Sequence, residues 1–215
     1  MKAILLDYTG TMVQEDEPYT RELVRYFIAH SHLDTPEKAC RVVWTKIKEM
    51  EANCVGENYI GLDEKADRIL HECVEEYGLN GDLDHMHAIW RNVWIHAPLF
   101  DDVKPFIEKV GLPVYVVTND DLCYVKQSLA EKGLEVAGIV SAEMVRAGKP
   151  HREIFEKALE MASASPDEVI HVGDSITSDV KPALAMGITP VYMSRKEDVQ
   201  LDGVRVIRTL LDLLE

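Results

Sequence analysis

The chain has 215 residues, enough for one compact domain with a sizeable insertion and a well-buried core. Its 47% hydrophobic, 28% charged and 7% aromatic residues are those of an ordinary globular protein and exclude a disordered or collagenous chain. With 38 acidic against 23 basic residues the formal net charge is −15, and no basic patch interrupts it, which excludes nucleic acid and anionic membrane surfaces as expected partners. No apolar run approaches the roughly 20 residues of a bilayer crossing. Met1-Lys2 leads directly into a strand rather than a signal peptide, so a cytoplasmic location is expected. Cys40, Cys54, Cys73 and Cys123 show neither CxxC spacing nor a disulfide framework, and four reduced, mostly structural thiols are expected.

The first predicted element is a short buried strand over Lys2–Asp7, an apolar run ending on an acid and followed by Thr9-Gly10-Thr11. From Pro18 to Ile95 apolar residues recur at helical spacing: Leu23 and Phe27, Val43 and Ile47, Ile69 and Cys73, then Met86, Ile89 and Val93. Breaks at His32–Pro36, Cys54–Asp63 and Gly78–Asp82 divide this stretch into four helices, with Gly78 and Gly81 as helix stops. After Pro98 the spacing predicts helix Asp101–Val110, strand Val114–Thr118, helix Leu122–Lys132, strand Gly138–Ser141 and helix Glu153–Met161. Strand Glu168–Val172, helix Asp179–Met186 and strands Pro190–Met193 and Val204–Ile207 follow. This order predicts an α/β fold: a doubly wound, Rossmann-like parallel sheet with helices on both faces. The first strand must pair within that sheet, so the helices are an inserted four-helix cap. The expected division is a cap domain at 15–98 and an α/β core domain at 1–14 and 99–215.

Ligands of open α/β sheets bind beyond the carboxyl ends of the strands, so the residues there carry the chemistry. They are Asp7-Tyr8-Thr9-Gly10-Thr11, Thr118-Asn119-Asp120, Gly148-Lys149-Pro150 and the run from Gly173-Asp174 to Asp179. Three carboxylates and one ammonium at one edge leave about two uncompensated negative charges unless a cation joins them. Mg²⁺ answers that need, with Asp7 and Asp174 as ligands and Asp179 as a ligand or as a residue orienting one. Lys149 and the Thr118 hydroxyl are then placed to hold phosphate oxygens, with backbone N–H groups of the Gly10 turn and of helix starts.

The pattern resembles the haloacid dehalogenase superfamily of hydrolases. Leu5-Leu6-Asp7-Tyr8-Thr9-Gly10-Thr11 looks like its first motif, Val116-Val117-Thr118-Asn119 its second, Lys149-Pro150 its third, and Val172-Gly173-Asp174 through Asp179 its acidic fourth. The resemblance implies that Asp7 is the nucleophile, Lys149 and Mg²⁺ neutralise the transferring phosphoryl group, and Thr118 and Asn119 belong to the substrate site. It also makes the insertion a mobile cap of the first type, and the expected activity a phosphatase acting on a small phosphorylated metabolite through an aspartyl-phosphate. Family phosphatases usually carry a second aspartate two residues after the nucleophile, where this chain has Thr9. A threonine hydroxyl does not exchange protons near neutral pH, although the Thr9 carbonyl is still placed to bind the metal. A similar Asp-x-Thr-Gly-Thr occurs in ion-pumping ATPases of the superfamily. Glu15, Asp16, Glu17 and Tyr19 are open candidates for the missing acid and base. A metal-independent dehalogenase and a weakly catalytic phosphate-ligand binding or regulatory member are the alternatives.

Other conspicuous residues have structural readings. His85 and His87 are two apart on a helix and point to different faces, which argues against chelation. His171 is expected to be a packed neighbour of the site, and Cys123 a structural thiol. Trp44, Trp90 and Trp94 follow helical periodicity; the spacing of Trp90 and Trp94 reads as core, and the cap remains able to present one tryptophan to a ligand.

Overall fold

The computed structural model describes residues 1–15 and 17–215, so Asp16 lies outside the described residues. Among the described residues the strands are β1 (Ala3–Leu6), β2 (Val114–Thr118), β3 (Gly138–Ser141), β4 (Val169–Gly173), β5 (Thr189–Met193) and β6 (Arg205–Ile207). They form one sheet of order β3-β2-β1-β4-β5-β6, parallel throughout. β1 is central, with Leu6 in register with Val116 on one side and Val172 on the other. The chain therefore builds outward from β1 through β2 and β3, then resumes on the opposite side with β4. This creates a topological switch beside β1, where ligands of such sheets collect.

Side-chain alternation divides the core into two layers. Ile4 and Leu6 pack with Val103 and Phe106 of α5 (Val103–Lys109) and Val125 and Leu129 of α6 (Leu122–Glu131). Ala3 and Leu5 face Ile154, Phe155 and Ala158 of α8 (Arg152–Ala162) and Ala183 of α9 (Lys181–Ala185). A short α7 (Ala142–Val145) that the sequence did not signal follows β3, capped by the Ser141 hydroxyl. The predicted helix from Asp179 is instead a wide π-helical turn over Ile176–Val180 followed by α9, because the Ser175 carbonyl accepts from both Asp179 and Val180.

Between β1 and α5 stand α1 (Pro18–Ala29), α2 (Pro36–Asn53), α3 (Leu62–Tyr77) and α4 (Leu83–His96). Pro18 and Pro36 occupy first-turn positions, and Gly78 ends α3 in the left-handed conformation at φ 65°. These helices bury a separate apolar cluster that includes Phe27, Ile69, Leu70, Met86 and Trp90. Trp94 packs partly buried beside it, whereas Trp44 is 52% exposed. The two chain crossings pair with each other: Gln14 N–H donates to Pro98 O at 2.9 Å and Phe100 N–H to Met12 O at 3.0 Å. No described helix is long and apolar enough to cross a membrane.

Candidate active site

Asp7 leaves β1 at the switch point, its N–H donating to Val172 O at 2.9 Å. Its buried carboxylate has Oδ1 at 2.5 Å from Lys149 Nζ and Oδ2 accepting from the Thr11 hydroxyl at 3.0 Å. Thr11 Oγ1 also lies 3.4 Å from Asp174 Oδ1. Lys149 reaches this edge from the segment between α7 and α8 and places Nζ 2.6 Å from Asp179 Oδ1 as well. Burial alone would lower the Lys149 pKa, but the charges of Asp179 and Asp7 outweigh it and hold the amine well above its ordinary value.

The wide turn after β4 presents the other two acids. Asp179 Oδ1 also meets His171 Nε2 at 2.8 Å, and Oδ2 accepts the Ser175 N–H at 3.1 Å. Against the upward push of burial, Lys149 and His171 hold this carboxyl well below the usual carboxylate range. Asp174 lacks such compensation: burial first, then the charges of Asp7, Glu15 and Asp179, push its pKa up to about 8. Gly10, at φ 85°, is where the Asp174 carboxylate lies against the turn after Asp7; a Cβ there would collide with it. Asp7, Asp174 and Asp179 each offer an oxygen within 4.8 Å of the others, a donor set suited to a hard divalent cation.

Other sequence-predicted residues hold the frame. Asn119 Oδ1 accepts the Lys149 N–H at 2.6 Å, and its Nδ2 donates to Lys149 O and to Glu51 Oε1, each at 3.1 Å. The Gly10 N–H donates to Val13 O at 2.8 Å, so it closes the turn rather than facing a ligand. Glu17 caps α1, accepting from Tyr19 N–H at 2.9 Å and Thr20 N–H at 2.5 Å, while the Tyr19 ring packs against His96. His171 lies edge-on to Phe155, as expected of a packed neighbour. His87 sits between Asp63 and Asp67, apart from the His85 ring that packs on Tyr26. No disulfide joins the four cysteines; Cys54 and Cys73 are buried, and Cys40 and Cys123 are exposed.

Asp120 is the residue that sequence reasoning left without a role. Its Oδ2 accepts from the Thr9 hydroxyl at 3.0 Å and the Thr118 hydroxyl at 3.1 Å, which turns Thr118 toward Asp120. Burial raises the Asp120 pKa, with the charges of Asp7 and Glu51 adding to it and the two hydroxyls opposing it. The available signal was an acid two residues beyond the end of β2, a position from which it reaches the place opposite Thr9.

The model of the haloacid dehalogenase-like hydrolases matches residues 1–187. Glyceraldehyde 3-phosphate phosphatase of Methanocaldococcus jannaschii is 25% identical over 118 residues, 51% of this chain and 52% of the relative. The enzyme of the same name from Pyrococcus furiosus is 39% identical over 54 residues, 25% of this chain and 22% of the relative. The chain thus spans about half, or less, of the length of the curated relatives it matches. Among solved structures, the hydrolase YfnB of Bacillus subtilis bound to magnesium superposes with a TM-score of 0.76 at 20% identity, covering 99% of this chain and 96% of that one. L-2-haloacid dehalogenase of Xanthobacter autotrophicus gives 0.77 at 15% identity with the same coverages, 99% and 96%. These two likenesses establish the fold. Since the family model spans the turn after Asp7, the helical insertion and the acidic turn after β4, the chain belongs to the haloacid dehalogenase-like hydrolases.

Proposed function

We propose that this hydrolase is a Mg²⁺-dependent phosphatase that cleaves a small phosphorylated metabolite through an aspartyl-phosphate on Asp7. The observation that carries this reading is the charge imbalance at the sheet edge. Asp7, Asp174 and Asp179 converge within 4.8 Å, Lys149 compensates two of them, and Asp174 is left crowded. A dehalogenase using Asp7 and Lys149 has no need of that third, uncompensated acid. The donors fit Mg²⁺ with Asp7 and Asp174 as ligands together with the Thr9 carbonyl; Asp179, already engaged by Lys149, His171 and Ser175, orients Lys149. Bound there, Mg²⁺ supplies positive charge to the phosphoryl oxygens.

The Asp7 carboxylate attacks phosphorus in line, forming the Asp7–phosphorus bond as the bond to the leaving oxygen breaks. Lys149, fixed between Asp7 and Asp179, holds charge on the equatorial oxygens. Water then attacks the same phosphorus, releasing inorganic phosphate and restoring Asp7. The leaving oxygen must gain a proton and the water must lose one. Glu17 is committed to the α1 start, whereas Asp120 stands one hydroxyl away from the position of the usual second aspartate. That placement makes Asp120 the foremost residue for both transfers. Initial rates on a phosphomonoester panel test the reading: activity requires Mg²⁺ and falls to background in EDTA. Metal-independent release of halide from 2-haloacids, without phosphatase activity, would establish the dehalogenase instead.

A further inference from the structure

On α2 the residues Val43, Ile47 and Met50 pack into the helical cluster, and the stripe beside them, about 100° around the helix, carries Trp44, Lys48 and Glu51. The end of that stripe is fixed at the catalytic edge by the Asn119 amide, which donates to Glu51 Oε1 at 3.1 Å. One turn back, Lys48 Nζ lies 3.3 Å from Glu51 Oε2 and 4.8 Å from the centroid of the Trp44 ring. The charges of Lys196, in the loop after β5, and of Lys48 both act on Glu15 against the upward push of burial, and the charge of Glu15 acts in turn on Asp174. A lysine from the helical block and one from the core therefore act on the same acid beside the acidic edge. Their surroundings are acidic, and Lys149 is already committed to Asp7 and Asp179.

We infer that Lys48, with its stem steadied by Trp44, forms a distal substrate subsite for a second anionic group, a carboxylate or a second phosphate, on the phosphomonoester. The inference rests on the phosphatase reading and names its substrate class. Lys46, on the same helix, is the contrast. It is 8% exposed and pairs with Glu72 at 2.8 Å and Glu76 at 2.9 Å inside the helical block, whereas Lys48 is 39% exposed on the stripe that ends at Asn119. Three residues of helix place Lys48 about 4.5 Å along the axis from Glu51, whose carboxylate the Asn119 amide holds. The exposed Trp44 ring also gains a role there, as the wall against which the ammonium stem rests.

Two matched pairs separate the sources of the second charge: 3-phosphoglycerate with glycerol 3-phosphate, and fructose 1,6-bisphosphate with fructose 6-phosphate. Turnover is measured with Mg²⁺ on the unmodified protein, Lys48→Gln, Lys48→Arg and Lys46→Gln, and binding is measured by calorimetry in an Asp7→Asn background. The charged member of at least one pair is expected to be favoured by about 10-fold or more, chiefly through KM, as for a charge-assisted hydrogen bond. Lys48→Gln lowers that charged-to-neutral ratio by about 10-fold, Lys48→Arg restores most of it, and Lys46→Gln leaves it unchanged. Equal use of both members, preference for the neutral one, or a ratio untouched by Lys48→Gln overturns the subsite. If no ester is hydrolysed the phosphatase reading fails, and calorimetry still decides: Lys48→Gln must weaken binding of the charged member selectively, and binding that is absent or unchanged overturns the inference.

Discussion

Asp174 is the most strained charge at the site, and two opposite consequences follow from it. Its ordinary pKa of 3.8 applies to the unfolded chain, while in the native protein burial and neighbouring carboxylates push it up to about 8. Between those values the unfolded chain binds fewer protons than the native one, so this group lowers stability progressively as pH rises from about 4 to about 8. Asp174→Asn should therefore raise the Tm measured in EDTA by a few degrees at pH 8, with little gain near pH 4. The same variant should weaken Mg²⁺ binding by at least 10- to 100-fold, judged from what even outer-lying changes cost a metal site. A lower Tm at pH 8 without metal would show that the carboxylate is not crowded. Asp120 poses the second residue-scale question. If it performs the proton transfers, Asp120→Asn should slow hydrolysis of alkyl phosphates by about 10²–10⁴-fold and that of p-nitrophenyl phosphate much less, because the phenolate leaves without a proton. Thr9→Asp in that background should recover the alkyl esters; equal slowing of both substrates, unrelieved by Thr9→Asp, would remove Asp120 from the chemistry. Asp7, Lys149, Asp174 and Asp179 were legible in the sequence because each lies at or just beyond a strand end or in the turn before a helix. Asp120 gains its meaning from a hydroxyl 111 residues away, and Glu51 from an amide 68 residues away. No local pattern encodes either pairing.

At the scale of elements, the helical insertion is fastened to the core at points that helical periodicity does not signal. The Tyr124 hydroxyl of α6 lies 2.8 Å from both oxygens of Asp63 in α3, and that carboxylate also meets His87 at 2.7 Å and Arg91 at 2.9 Å. Leu62 N–H donates to Asp121 at 2.8 Å, and Ile95 O accepts from Ser128 and Lys132. The positions of the two crossings were legible from the change of pattern near Gln14 and Pro98, but their mutual pairing was not. If the insertion opens about that paired ribbon, Tyr124→Phe should speed proteolysis at the crossings and raise KM several-fold with kcat little changed. Mg²⁺ with beryllium fluoride should slow cleavage in both proteins. Cleavage rates that neither the variant nor the mimic alters would mean that these contacts do not govern an opening. Asp179 was expected to open a helix, but it lies within the wide turn over Ile176–Val180. Its carboxylate instead turns back to Lys149, His171 and the Ser175 N–H, an arrangement that depends on tertiary neighbours.

For the whole molecule, the solitary first strand was the strongest topological clue, since a buried apolar strand requires partners and β1 finds them on both sides. The sheet order could not be read from strand identity, because nothing local says whether β4 adds beyond β3 or returns to β1. Arg195 and Asp102 join the far parts of this assembly. Arg195 Nη1 is 2.7 Å from Asp102 Oδ2, its Nη2 donates to Thr11 O at 2.6 Å, and Asp102 also accepts from Thr209 and Leu210. Burial alone would raise the Asp102 pKa, but these partners lower it overall, so its contribution is present above the unfolded pKa and lost as pH falls through the lower native value. Asp102→Ala should cost about 3–5 kcal/mol at neutral pH, measured by urea unfolding, because it leaves a largely buried guanidinium unpaired; a change below about 1 kcal/mol would mean solvent replaces the carboxylate.

The most direct test of the central proposal is mass spectrometry of acid-quenched protein after brief reaction with a hydrolysed phosphomonoester. The expected result is one added phosphoryl group, confined to the peptide containing Asp7, formed with Mg²⁺, absent in EDTA and absent from Asp7→Asn. Hydrolysis that proceeds at full rate in EDTA, or a phosphoryl group trapped on a residue other than Asp7, would contradict it.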